Sequence, residues 1–170
     1  VMVLEFFGRS MHPAAVVVRE LVALRNRIRQ EGDYAHLSAL EEFNAKYVQA
    51  IEYKRKSEKY DGLPISVIIL QADGDDPYLL DKCVGDIVSV VEQQENVDII
   101  VAGDDKEAER FWEDRHRLSA IAKRTSGFKL NEDVVIPMER IPDFALFLEQ
   151  LNLECTAASY RHALQEVDRK

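Results

Sequence analysis

Residues 65–71, ISVIILQ, decide how this chain folds. Four of the seven are β-branched or apolar without interruption, Pro64 precedes them, and the breaker DGDDP at 73–77 follows. A short run of that composition between such flanks is a strand. Downstream, Asp76 is placed to cap a helix and Pro77 to occupy its first turn, where a missing N–H is harmless. Leu79, Leu80, Cys83, Ile87, Val90 and Val91 then recur at helical spacing. The aspartates of this loop suggest calcium ligation, but the later bidentate glutamate of such loops is missing, so a turn and a cap are expected instead. Asn96 ends the helix, and VDIIVA at 97–102 is a further strand.

Upstream the same grammar recurs. VMVLEFF, residues 1–7, reads as a central strand. Pro13 suits the first turn of a helix whose inner face carries Val17, Leu21, Leu24 and Ile28. Its arginines at 19, 25, 27 and 29 form a solvated face. HLSALEEF at 36–43 is either one edge of a strand or the start of a helix. Asn44 is a good N-cap for a helix over 45–53. KRKSEK at 54–59 reads as a solvated helix end and loop. Strands and helices thus alternate in two similar halves. The expected fold class is α+β: ferredoxin-like split βαβ repeats, an antiparallel sheet with helices packed mainly on one face. A doubly wound parallel sheet is the alternative, disfavoured because no strand runs into a glycine-rich phosphate loop.

The chain has 170 residues, of which 46% are hydrophobic, enough for one domain with a real core. Its net charge is −9 and its pI about 5.0, which argues against a nucleic-acid surface but leaves room for a local basic pocket around Arg115, Arg117, Lys123, Arg124 and Lys129. No apolar run approaches the roughly 20 residues that span a bilayer. Cys83 and Cys155 have no metal-ligand spacing, and Cys83 lies on an apolar helix face, so buried thiol is favoured over disulfide. A cytoplasmic location is expected, either free or peripheral to the inner face of the membrane. The first residues open in mid-strand and the last stop within a helical pattern, so residues 1–170 are expected to be a single domain cut from a longer protein.

Residues 111–137, FWEDRHRLSAIAKRTSGFKLNEDVVIP, carry the most distinctive chemistry. At 100° per residue, Ala108, Phe111, Trp112, Leu118, Ser119 and Ala122 share an arc, with Arg115 near its centre. A cation there needs an anionic partner or a solvated pocket. Ser119 lies one turn on. A strand over 128–136 would put Lys129, Asn131, Asp133 and Val135 on one side and Phe128, Leu130, Glu132, Val134 and Ile136 on the other. Arg115 therefore either holds a small carboxylate or pairs with Asp133 or Glu132 to lock helix to strand. Further helices are expected from Pro142, with Phe144, Phe147, Leu148 and Leu151 spaced as one apolar face, and separately from Thr156.

Trp112-x-x-Arg115 followed by EDVVIP at 132–137 resembles the FAD-linked oxidase C-terminal domain, the substrate or cap domain of flavoproteins such as D-lactate dehydrogenase, the glycolate oxidase flavin subunit and D-2-hydroxyglutarate dehydrogenase. MERIPDFALFLEQL at 138–151, ALEEFN at 39–44 and the strand-helix-strand of 65–102 fit the same pattern. The resemblance implies a ferredoxin-like cap over the flavin of an oxidoreductase that takes a hydride from a small 2-hydroxy acid. It implies that Arg115 grips the substrate carboxylate, a match of guanidinium fork to anion. Ser119 assists it. Asn131 stands where some members carry a lysine, and Lys129 on the same strand face compensates. The resemblance assigns no catalytic residue and no metal ligand to this segment. His12, His36, His116 and His162 fall in no ligand spacing. It places FAD mainly on another domain of the same parent chain, since the glycine-rich pyrophosphate motif and the histidine-bearing Gly-Asp-Gly-Asn motif do not occur here. A homodimer is a further expectation, and this segment alone is expected to be inactive. The competing reading is a non-enzymatic ferredoxin-like module that binds a small metabolite or dimerises.

Overall fold

A computed structural model describes residues 1–32, 35–117 and 134–168. Its centre is β1 (Met2–Phe6), followed by α1 (His12–Glu31), β2 (His36–Asn44), α2 (Ala45–Ala50), β3 (Ser66–Asp73), α3 (Pro77–Val91), β4 (Val97–Val101) and α4 (Asp105–His116). A 3₁₀ turn (Met138–Arg140) leads into α5 (Ile141–Asp168). The sheet order is β2-β3-β1-β4, and each neighbouring pair is antiparallel. Each βαβ unit leaves room for one strand between its own two, and the other unit fills it. This is the ferredoxin-like split βαβ arrangement.

The period of two along the central strands builds two cores. Met2, Leu4 and Phe6, with Ile68 and Leu70, face α1 and α3, where Val17, Leu21, Leu24, Ile28, Cys83, Ile87 and Val91 complete the larger core. Val3, Val67 and Ile69 point the other way, onto a smaller core of Phe43, Val48, Ile51, Tyr53 and Phe111 contributed largely by α2, α4 and the chain after α2. The long helices α1 and α3 share one face, and the first turns of α5 lean on α1. The ambiguous residues 36–43 are strand, with a bulge between Leu37 and Ala39. Both expected caps form: Asn44 Oδ1 accepts from Tyr47 N at 3.0 Å and Asp76 Oδ1 from Tyr78 N at 2.8 Å. Gly32 ends α1 at φ 76, a conformation that favours glycine. Cys83 is a buried free thiol, its pKa raised by burial; Cys155 is free and exposed.

Four expectations need correction. The helix over 45–53 stops at Ala50, where the chain turns through Glu52 at φ 53 and sends Tyr53 inward. Residues 54–59 are not simply solvated, because Ser57 is buried and Lys56 reaches an inner carboxylate. Residues 141–168 form one helix, as nothing in 152–156 (NLECT) breaks the ladder. Residues 134–137 are irregular, with Val134 and Val135 exposed, since no described strand offers them hydrogen-bond partners.

Candidate functional site

The helix expected to carry the site is α4. Its start is a reciprocal cap: Asp104 Oδ1 accepts from Glu107 N at 2.7 Å, and Glu107 Oε2 accepts from Gly103 N at 2.8 Å. Phe111 plugs the smaller core. Trp112 is partly buried at its edge, and its indole Nε1 donates to Gln71 Oε1 at 3.1 Å. Gln71 Nε2 in turn donates to Asp73 at 3.0 and 3.2 Å. An indole only donates and a carboxylate only accepts, so the amide of Gln71 can stand only one way round. Ser38 Oγ is 3.3 Å from the Gln71 carbonyl and beside Asp73, and its one proton can swing to either. The Ser38 hydroxyl, working against burial and helped by Gln71, holds the Asp73 carboxyl below its ordinary 3.8.

That depression has a pH consequence. A carboxylate favoured in the folded state contributes stability above its unfolded pKa and loses it as pH falls through the folded value. Wild-type protein should lose more stability than Asp73→Asn between about pH 5 and about pH 3, measured by urea unfolding at each pH. Equal losses would remove Asp73 from the account. Glu42, raised by burial against its Ser66 hydrogen bond, has the opposite sign and is common to both proteins.

Arg115 does not sit at the centre of the buried arc. The buried charge on α4 is Asp114, at 7% exposure, and Arg115 lies at the rim with its side chain 42% exposed. The helix is rotated so that its inner line runs between Phe111 and Asp114, not between Phe111 and Trp112. Two donors secure the end of α4: Tyr47 Oη reaches Asp114 O at 3.0 Å, and Arg117 Nη1 reaches Ile51 O at 3.3 Å. Arg115 uses Nε to hold Glu41 Oε1 on β2 at 3.2 Å. Among the described residues the Nη edge makes no hydrogen bond, and the guanidinium is fixed at its root by Glu41. The ion pair expected with Glu132 or Asp133, and the candidates Ser119, Lys129 and Asn131, lie outside the described residues.

An open depression of about 1030 Å³ lies beside this helix, lined in part by Asp73, Asp104, Asp105, Glu109 and Glu113. Arg115 is not on its wall. Five carboxylates outnumber the two basic groups on the wall, His116 and the Val1 amine, so neither a substrate carboxylate nor a diphosphate is favoured there. Among the described residues no group of histidine, cysteine or acidic side chains is arranged to hold a metal ion, and no helix is long and apolar enough to cross a membrane.

The family model of FAD linked oxidases, C-terminal domain, matches residues 18–163. The chain belongs to this family. The match takes in α2 to α4, the whole of β2 to β4, most of α1, and α5 as far as Ala163. No curated protein and no solved structure matches the chain. Membership makes FAD the cofactor of the parent protein, and the acidic depression beside α4 does not fit its diphosphate. It offers carboxylates where a phosphate-binding surface would need donors or cations. No contact to FAD is therefore assigned here.

Sequence reasoning missed a second polar centre. Glu5, fully buried in β1, accepts from Tyr53 Oη at 2.7 Å, Lys56 N at 2.7 Å and Ser57 N at 2.8 Å. Lys56 Nζ meets Asp114 Oδ2 at 2.7 Å and lies 4.1 Å from the Tyr53 ring centroid. Ser57 Oγ donates to Asp98 Oδ2 of β4 at 2.6 Å. Burial, reinforced by Glu5, drives the Tyr53 pKa far up and keeps its phenol a donor. The one signal in the sequence was Glu5 itself, a carboxylate inside an otherwise apolar strand. This centre ties the segment between α2 and β3 to β1, β4 and α4. It thereby sets the height of the helix from which Arg115 projects.

Proposed function

We propose that this chain is the substrate-binding cap domain of a longer FAD-dependent oxidoreductase that oxidises a small 2-hydroxy acid of the D-lactate or glycolate type. The reducing equivalents pass to a flavin held by another domain of the parent chain. Family membership supports the flavin-linked oxidation. One observation carries the substrate class: Arg115 is anchored through Nε to Glu41 while its Nη edge makes no hydrogen bond among the described residues. Such an edge accepts a carboxylate through two parallel N–H···O bonds, and the Glu41 anchor lowers the ordering cost of presenting it. Ser119, Lys129 and Asn131 are secondary candidates for the same substrate. The domain alone supplies binding and orientation, and turnover requires the parent protein.

Arg115→Lys in the full-length protein should raise KM for the 2-hydroxy acid about 30-fold, because an ammonium offers no planar fork. Glu41→Gln should produce a smaller rise, since it loosens the guanidinium without removing it. Binding of flavin should be unchanged in both. An unchanged KM in Arg115→Lys would remove the carboxylate role, and a parent protein that carries no flavin would return the chain to the metabolite-binding reading.

A further inference from the structure

The last helix is built for a partner. Glu149 fixes its near half, accepting from Ser10 Oγ at 3.1 and 3.0 Å and from Met11 N at the start of α1. Beyond that point residues 150–167 are exposed without interruption. At 1.5 Å per residue, about 27 Å of helix projects from the body. A lone helix of this length is marginal in water, because helices in proteins draw most of their stability from packing one face.

That face is present in the sequence. Leu153, Ala157, Tyr160, Leu164 and Val167 follow at intervals of 4, 3, 4 and 3 residues. This is the a/d spacing of a coiled coil, with a mean of 3.5, and it suits a second helix rather than a sheet or a flat surface. The exposures are 72% for Leu153, 70% for Tyr160, 65% for Leu164 and 70% for Val167. The flank of the seam holds Glu154 and Arg161, one heptad apart.

We propose that this half of α5 pairs with the same helix of a second copy, antiparallel about a two-fold axis. The occupant follows from self-complementarity. Run antiparallel, the seam sets Ala157 of each copy opposite Tyr160 of the other and Leu153 opposite Leu164, small against large and leucine against leucine. The same register brings Glu154 of each copy toward Arg161 of the other, giving two equivalent ion pairs. Glu154 Oε1 already accepts from Gln150 on its own helix at 2.8 Å, which holds it in position. A parallel pair would set Glu154 toward Glu149 and Arg161 toward Thr156, with no ionic match. Isologous contacts of this kind close on themselves and give dimers.

The test is the mass of the full-length protein in solution, by light scattering or sedimentation equilibrium. Wild type is expected at twice the chain mass and Leu164→Glu at the monomer mass, with a loss of helical circular dichroism no larger than the projecting half of α5 accounts for. Arg161→Glu should weaken dimerisation about tenfold by setting like charges together, and Glu154→Arg combined with Arg161→Glu should restore it. A monomeric wild type would overturn the proposal and assign the seam to another segment or partner. A dimer that survives Leu164→Glu, or is indifferent to Arg161→Glu, would overturn it equally.

Discussion

Glu5→Ala is expected to remove about 4 kcal/mol of folding stability, the largest loss from any single polar residue described above. The reason is arithmetic on donors. Three groups give their hydrogen to this carboxylate: Tyr53 Oη, Lys56 N and Ser57 N. Each donor left buried without an acceptor costs about 1–3 kcal/mol, and the two backbone amides cannot turn away. Water entering the vacated space recovers part of the loss, so the sum stays below three full penalties. Glu5→Gln keeps the volume but points an amide NH₂ at groups that are themselves donors, so about half the loss should remain. Urea unfolding gives the magnitude, and hydrogen exchange at Lys56 and Ser57 gives the location. Loss of stability with those two amides still protected would mean that the carboxylate is not their acceptor.

Breaking the neighbouring ion pair should cost about 3 kcal/mol from either side. Lys56 and Asp114 meet at 2.7 Å with side chains only 18% and 10% exposed, so removing one leaves the other largely desolvated and unpaired. Lys56→Met and Asp114→Leu together should cost clearly less than the two alone. An apolar pair of similar size needs no partner, and the Tyr53 and Phe111 rings that flank Lys56 Nζ would accept it. The double-mutant cycle is expected to give a coupling of about 2 kcal/mol. Strict additivity would show that the contact contributes nothing of its own. Because Asp114 precedes Arg115 on the same turn, the single variants should also displace the guanidinium and raise KM in the parent protein, with the double variant closer to wild type.

The two centres show why the candidate site was only half legible. A helical wheel gives relative angles along α4, not the direction of the sheet. An arc drawn through Phe111 and Trp112 put Arg115 near its centre, whereas the buried line of α4 takes Phe111 and Asp114 and leaves Arg115 at the rim. Lys56 looked like one charge in the solvated run KRKSEK, because its partners are far away in sequence: Asp114 is 58 residues on, and Glu5, which binds its amide, is 51 residues back. Glu41, the anchor of Arg115, is 74 residues distant and lay in the stretch that reads equally as strand or helix.

The sequence by itself determined the order and type of the elements from β1 to α4 except β2, the α+β class, the apolar faces of α1 and α3, and the caps at Asn44 and Asp76. All of these depend on local rules: side-chain period, turn chemistry and capping act over a few residues. The tertiary structure alone decided which carboxylates are buried, which donors or cation each one meets, and which atom of Arg115 Glu41 holds. Those are set by the antiparallel registry of β2, β3, β1 and β4, which brings residues 41 to 74 positions apart into contact across the smaller core, and no local pattern encodes it.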